Sequence, residues 1–206
     1  MTRLACLVAL ALLCGAAAAA YSQEAPKRHR RGLWGELGSG PGYARIACTD
    51  CEDVVGATGT TGYLRVGGVI SKKVVIGVEF FSFLDKAFGF APEDSNAVAE
   101  TATAAIVLLW YPGRHGLFFK GGVGAAFGQF AVPYDSGGVA VADTSGGAGI
   151  GLTFGLGWDL PISRKFAITA NAATFVTALG DVALPGRKVD DVIATIYQAS
   201  IGFTIR

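Results

Sequence analysis

The segment over residues 148–160 alternates between two kinds of side chain, and this alternation limits what the chain can fold into. Every second residue is apolar and mostly large, whereas the residues between are mostly glycine, where a soluble protein would place side chains that meet water. A period of two is typical of a β-strand with one apolar face. The pattern favours a narrow barrel in lipid, apolar outside and crowded inside. The predicted lipid-facing side chains are Ile150, Leu152, Phe154, Leu156, Trp158 and Leu160.

The composition of the chain agrees with a membrane setting. The 206 residues are 51% hydrophobic and only 16% charged, and 30 of them are glycine. A typical soluble domain has about 25% charged residues and about 7% glycine. The formal net charge of +1 gives no reason to expect a nucleic-acid partner.

The N-terminal residues have the order of a cleavable secretory signal. Arg3 supplies a short positive region, residues 4–13 are apolar, and residues 16–20 are small. We therefore expect a cleaved signal peptide over residues 1–20. An uncleaved anchor helix and a lipoprotein cut before Cys14 are the alternatives.

The rest of the chain divides into a leader and one domain. Residues 21–31 are polar and basic, which predicts a disordered leader, with binding of an anionic lipid headgroup or of a cell-wall polymer as the alternative. Residues 32–206 are predicted to form a β-barrel. No run of about 18 apolar residues follows the signal, so we expect no transmembrane helix. A closed barrel is the other structure that satisfies every backbone hydrogen bond in lipid.

Eight segments of this domain have the pattern of strands, and the connections between them alternate in length. The candidate strands are about 32–47, 59–71, 73–83, 97–111, 116–130, 148–160, 166–177 and 192–206. The connections over 48–58, 84–96, 131–147 and 179–191 are long, and the others are short. Short periplasmic turns and longer outer loops are typical of transmembrane barrels. The predicted fold is an all-β, eight-stranded, antiparallel, up-and-down transmembrane β-barrel.

This layout resembles the outer-membrane β-barrel domain family, in the small eight-stranded form of the OmpA membrane domain and OmpX. The resemblance is carried by the signal peptide, the Gly-rich stretch over 117–124, the sixth strand and the ending over 197–206. It implies the outer membrane of a Gram-negative-type bacterium and outer-membrane lipid as a partner. It also implies biogenesis with periplasmic chaperones and the barrel-assembly machinery, and a monomer.

Five charged residues should point into this barrel by the parity of their strands: Glu36, Arg65, Glu79, Lys120 and Asp159. An eight-stranded interior is only just wide enough for side chains to fill it. Because a lone buried charge is costly, we expect these charges to pair and close the lumen. A narrow ion path is the alternative.

Two further patterns concern cysteine and aromatic residues. Cys48 and Cys51 lie in the first long connection of an exported chain, which favours a local disulfide over a redox motif or a metal site. We expect no metal and no cofactor. Two interfacial girdles are predicted from the aromatic residues near the strand ends: Trp110, Tyr111, Trp158, Phe166 and Phe203 on one side, and Phe80, Phe127 and Phe175 on the other.

The predicted function is a structural or surface-interaction role with a largely filled lumen, in which long outer loops could meet an extracellular ligand. A narrow passive porin for small solutes is the first alternative. A lipid-modifying enzyme and a soluble exported barrel that binds an apolar ligand are two more. We expect no enzyme, because the chain has two histidines and no Gly-x-Ser-x-Gly nucleophile motif.

Overall fold

The computed structural model describes residues 32–49, 55–85, 98–113, 115–136, 139–184 and 187–206. The signal peptide predicted over 1–20 and the leader predicted over 21–31 lie outside the described residues. Within the described ranges, no helix combines the length and the apolar character needed to cross a bilayer.

The described residues form eight strands that close into one barrel, in which each strand pairs antiparallel with its neighbours in sequence and the last pairs with the first. This confirms the predicted eight-stranded up-and-down fold. The strands are β1 (Leu33–Ala47), β2 (Val55–Ser71), β3 (Val74–Asp85), β4 (Val98–Trp110), β5 (Leu117–Ser136), β6 (Val139–Pro161), β7 (Phe166–Leu184) and β8 (Arg187–Ile205).

The prediction of long loops is wrong for two of the four connections. Residues 131–147 and 179–191 are mostly strand, because β5 and β6 stay paired out to Ser136 and Val139, and β7 and β8 out to Leu184 and Arg187. Continued pairing satisfies backbone groups that a loop would leave to water. The register of β7 and β8 shifts around Gly180, whose φ of 63° is one that glycine adopts without strain. The period of two is not apparent in these two parts of the sequence. The bulges shift it near Gly180, and residues 131–147 are mostly small or polar.

The outer wall of the barrel is apolar. Thirty large hydrophobic side chains among the described residues are exposed. A typical soluble monomer exposes scattered apolar side chains, and its largest contiguous apolar patch covers only about 300–600 Å². Five of the six side chains predicted to face lipid on β6 are 42–64% exposed, and Trp158 is partly buried. The girdle prediction is wrong for Tyr111 and Phe175, which are each 1% exposed because their strand parity turns them inward.

Glycines on the inner face make room for large side chains of other strands. A Cβ at Gly157 would lie 2.7 Å from Phe118 Cε1 and closer still to Cζ of the same ring, and a Cβ at Gly38 would lie 2.6 Å from the Tyr63 ring. Both rings are buried in the barrel. The glycine face of β6 is therefore a packing surface.

Candidate functional site

The lumen contains a layer of ion pairs between two apolar clusters. The inner cluster lies toward the short turns and consists of Trp34, Val75, Ala105, Val107, Leu109, Tyr111 and Phe118. The outer cluster lies toward the long hairpins and includes Phe81, Phe83, Phe175, Leu179, Val182 and Ile196. The ionic layer is made of Glu36, Arg65, Glu79 and Lys120, none more than 4% exposed.

Arg65 is the centre of the ionic layer because of strand register. It lies directly across from Glu36 on β1 and from Glu79 on β3. Its Nη1 is 2.9 Å from Glu36 Oε1, and its Nε donates to Glu79 Oε2. Lys120 of β5 reaches the same carboxylate, with Nζ 2.8 Å from both oxygens of Glu79. Two acids and two bases therefore balance inside the lumen.

Aromatic rings close the space around these charges. The Tyr63 hydroxyl donates to Glu36 Oε1 over 2.6 Å, and the Tyr63 ring lies 4.2 Å from the Arg65 guanidinium carbon. Lys120 Nζ lies 4.6 Å from the centroid of Phe175, which stacks on Phe81 at 3.6 Å. Cation–π contacts of this kind stabilise a desolvated cation. The ion pairs are thus enclosed by side chains on the outer side.

Asp159 lies in a second cluster rather than in this layer. Its carboxylate accepts hydrogen bonds from the Tyr111 hydroxyl at 3.0 Å and from Thr169 Oγ1 at 2.9 Å, and it forms an ion pair with Arg206. Arg206, which meets Asp159 across β7, was not among the charged residues predicted to point inward. Strand parity could have predicted it, because Arg206 follows Thr204 by two residues and the Thr204 side chain points inward.

We expect Arg206→Met to destabilise the barrel by about 1.5–3 kcal/mol, the usual worth of a hydrogen bond to a charged group. The change leaves the buried Asp159 carboxylate with two hydroxyl donors and no counter-charge. The measurement is urea unfolding of the refolded barrel in detergent micelles, followed by tryptophan fluorescence. Arg164→Met is the matched control, since Arg164 is exposed on the same rim. Equal stability of the two variants would contradict the role given to Arg206.

Cys48 is partly buried and packs against the outer apolar cluster. Cys51 lies outside the described residues, so the disulfide between the two stays a prediction. Among the described residues no group of three or more metal-ligating side chains comes together.

The closed barrel, its apolar wall and its filled lumen define a class: the fold is that of the small eight-stranded outer-membrane barrels. No protein-family model matches the chain, and no curated protein matches it. Among solved structures, Neisserial surface protein A aligns with 84% of this chain and 98% of its own, at a TM-score of 0.55 and 14% identity. Ail of Yersinia pestis, in complex with the heparin analogue sucrose octasulfate, aligns with 84% of this chain and 99% of its own, at a TM-score of 0.55 and 11% identity. These similarities confirm the resemblance at the level of the fold.

Proposed function

We propose that this protein is an outer-membrane barrel with a structural or surface-interaction role and a lumen that does not conduct. The observation that carries the proposal is the combination of an exposed apolar wall with a lumen filled by two apolar clusters and the ionic layer. The wall requires lipid, and the filled interior leaves the outer hairpins as the surface that can meet other molecules.

The filled interior also weighs against a soluble carrier of apolar ligands. Such a barrel needs an internal cavity for its ligand. Here two grooves of about 540 and 610 Å³ are lined mainly by residues of the outer wall, such as Leu64, Phe80, Leu156 and Ile201. We propose that these grooves contact lipid.

We propose a non-enzymatic role. An activated nucleophile needs a base within hydrogen-bond reach. His115 lies in the connection between β4 and β5, on the short-turn rim and at the opposite end of the barrel from the outer hairpins. The buried acids Glu36, Glu79 and Asp159 are engaged in ion pairs.

The described charges at the outer end are mainly acidic. By strand position, seven described acids lie toward this end against three described bases. The acids are Asp85, Glu100, Asp135, Asp143, Asp181, Asp190 and Asp191, and the bases are Arg45, Arg187 and Lys188. This balance favours a neutral or cationic partner over a polysulfated ligand such as the heparin analogue in the Ail complex. Other partners in the proposal are outer-membrane lipid, periplasmic chaperones and the barrel-assembly machinery, with a monomeric barrel.

The first test is membrane placement. The protein should fractionate with outer membranes and migrate faster on a gel without heating than after boiling. Recovery as a detergent-free soluble monomer would overturn the proposal.

We expect no discrete conductance steps from the wild-type protein in planar bilayers, because the ionic layer and the Phe81–Phe175 stack close the lumen. The triple variant E79A/K120A/F175A removes one acid, one base and one ring of the stack. Both ion pairs of Glu79 are lost, the net charge is unchanged, and Arg65 keeps Glu36 as its partner. Steps should appear in this variant once its heat-modifiable mobility shows that it is folded. Steps in the wild-type protein would favour the narrow porin instead.

A further inference from the structure

The exposed charged side chains on the short-turn rim are all positive among the residues that the structure describes. Lys72 and Lys73 lie in the turn between β2 and β3, and Arg164 and Lys165 in the turn between β6 and β7. All four side chains are exposed. The described acid at this end, Asp159, is fully buried and already paired. We call these four side chains the basic rim.

The basic rim is held in place by backbone hydrogen bonds. The Tyr111 N–H donates to the Lys73 carbonyl at 2.7 Å, which ties one turn to the end of β4. In the other turn the Ile162 N–H donates to the Phe166 carbonyl at 3.0 Å. The positive charges therefore project from turns whose backbone is held by hydrogen bonds.

The rim also lies directly beside the apolar wall. Ile70 is 65% exposed and Trp110 is 47% exposed next to the first turn, and Ile162 is 61% exposed next to the second. Where an apolar wall ends in lipid, the next layer is the phosphate level of the headgroups. The position of the four cations matches that layer.

We propose that the basic rim binds the headgroups of anionic phospholipids in the leaflet next to the short turns. The partner is a lipid rather than a cell-wall polymer, because the charges adjoin the exposed apolar side chains without an intervening polar segment. Anionic headgroups attract each lysine or arginine near a membrane surface. The inference rests on the proposed membrane placement of the barrel.

The chain contains its own reporters for this contact. Trp110 pairs with Val74 beside the first turn, and Trp158 of β6 lies three residues before that strand ends at the second. The remaining tryptophan, Trp34, is 3% exposed inside the barrel. Bromine on lipid acyl chains quenches tryptophan on contact, so quenching of this chain measures which lipids surround the rim.

The experiment compares brominated phosphatidylglycerol with brominated phosphatidylcholine at equal mole fraction in vesicles holding the full protein. The wild type should show a preference of at least about twofold for phosphatidylglycerol, falling at high salt because the charges are exposed. The quadruple variant K72Q/K73Q/R164Q/K165Q should show equal quenching by both lipids. The control R45Q removes an exposed cation at the other end and should keep the preference.

The outcomes separate the inference from the proposed function. Equal quenching by both lipids in the wild type, or an unchanged preference in the quadruple variant, overturns the headgroup site alone. Quenching by neither lipid means that the barrel has not inserted, and this overturns the proposed membrane placement. Binding to isolated cell-wall sacculi that the quadruple variant loses, with no lipid preference in the wild type, would assign the rim to the polymer.

Discussion

Replacing Arg65 with methionine should destabilise the barrel by about 3–5 kcal/mol, the usual cost of removing one partner of a buried ion pair. Arg65 is fully buried and neutralises carboxylates on both neighbouring strands, at Glu36 and at Glu79. Without it the ionic layer has two acids and only Lys120 as a base. The measurement is the free energy of unfolding in urea, from refolded protein in micelles, with heat-modifiable mobility as the check on folding.

A second variant separates the loss of charge balance from the loss of packing. The double variant R65M/E36Q leaves Glu79 paired with Lys120 at 2.8 Å and keeps an acceptor near the Tyr63 hydroxyl. It should regain most of the stability that R65M loses, because no carboxylate is then left unbalanced. If R65M lowers the free energy of unfolding by less than about 1 kcal/mol, or if the double variant is no more stable than the single one, the ionic layer is not a balanced network.

Strand parity allowed the sequence to predict which charged side chains point into the lumen, but not which of them pair with one another. The inner or outer direction of a side chain follows from the period of two, so the inward placement of Glu36 and Lys120 needs no structure. The partner of each charge depends on register across strands, which the sequence alone does not determine. This is why five charges were expected in one network, whereas Asp159 pairs with Arg206 instead.

The fold could also be predicted from the pattern of the strands. Long strands with one apolar face, in a chain with no apolar run long enough for a transmembrane helix after the signal, leave few architectures other than a closed barrel. The outer ends were not predictable, because the residues over 131–147 pair as strands without a period of two in their apolarity. The direction of the Phe175 side chain was also predicted wrongly. Its aromatic character suggested an interface, but its parity with Thr177 and Ala173 turns it into the lumen.

Replacing Gly157 with valine should destabilise the barrel by about 1–3 kcal/mol, the usual cost of overpacking a close-packed interior. A Cβ at Gly157 would lie 2.7 Å from Phe118 Cε1 and 2.9 Å from the Ala170 carbonyl oxygen. Phe118 is fully buried and its ring centroid lies 5.3 Å from that of Tyr111, so it cannot move without disturbing the inner apolar cluster. Either the ring or the backbone of β7 must shift.

The matched control is Gly121→Val on the neighbouring strand β5. Gly121 lies outside the packed interior, and a Cβ there would meet nothing within 4 Å. Valine suits strands and loses less backbone entropy than glycine, so this variant should be as stable as the wild type or more so. Unfolding in urea measures both. Equal losses in the two variants would mean that glycine is needed on β5 and β6 for the backbone alone, whereas a loss confined to Gly157→Val shows that the glycine face of β6 exists to seat the rings that fill the lumen.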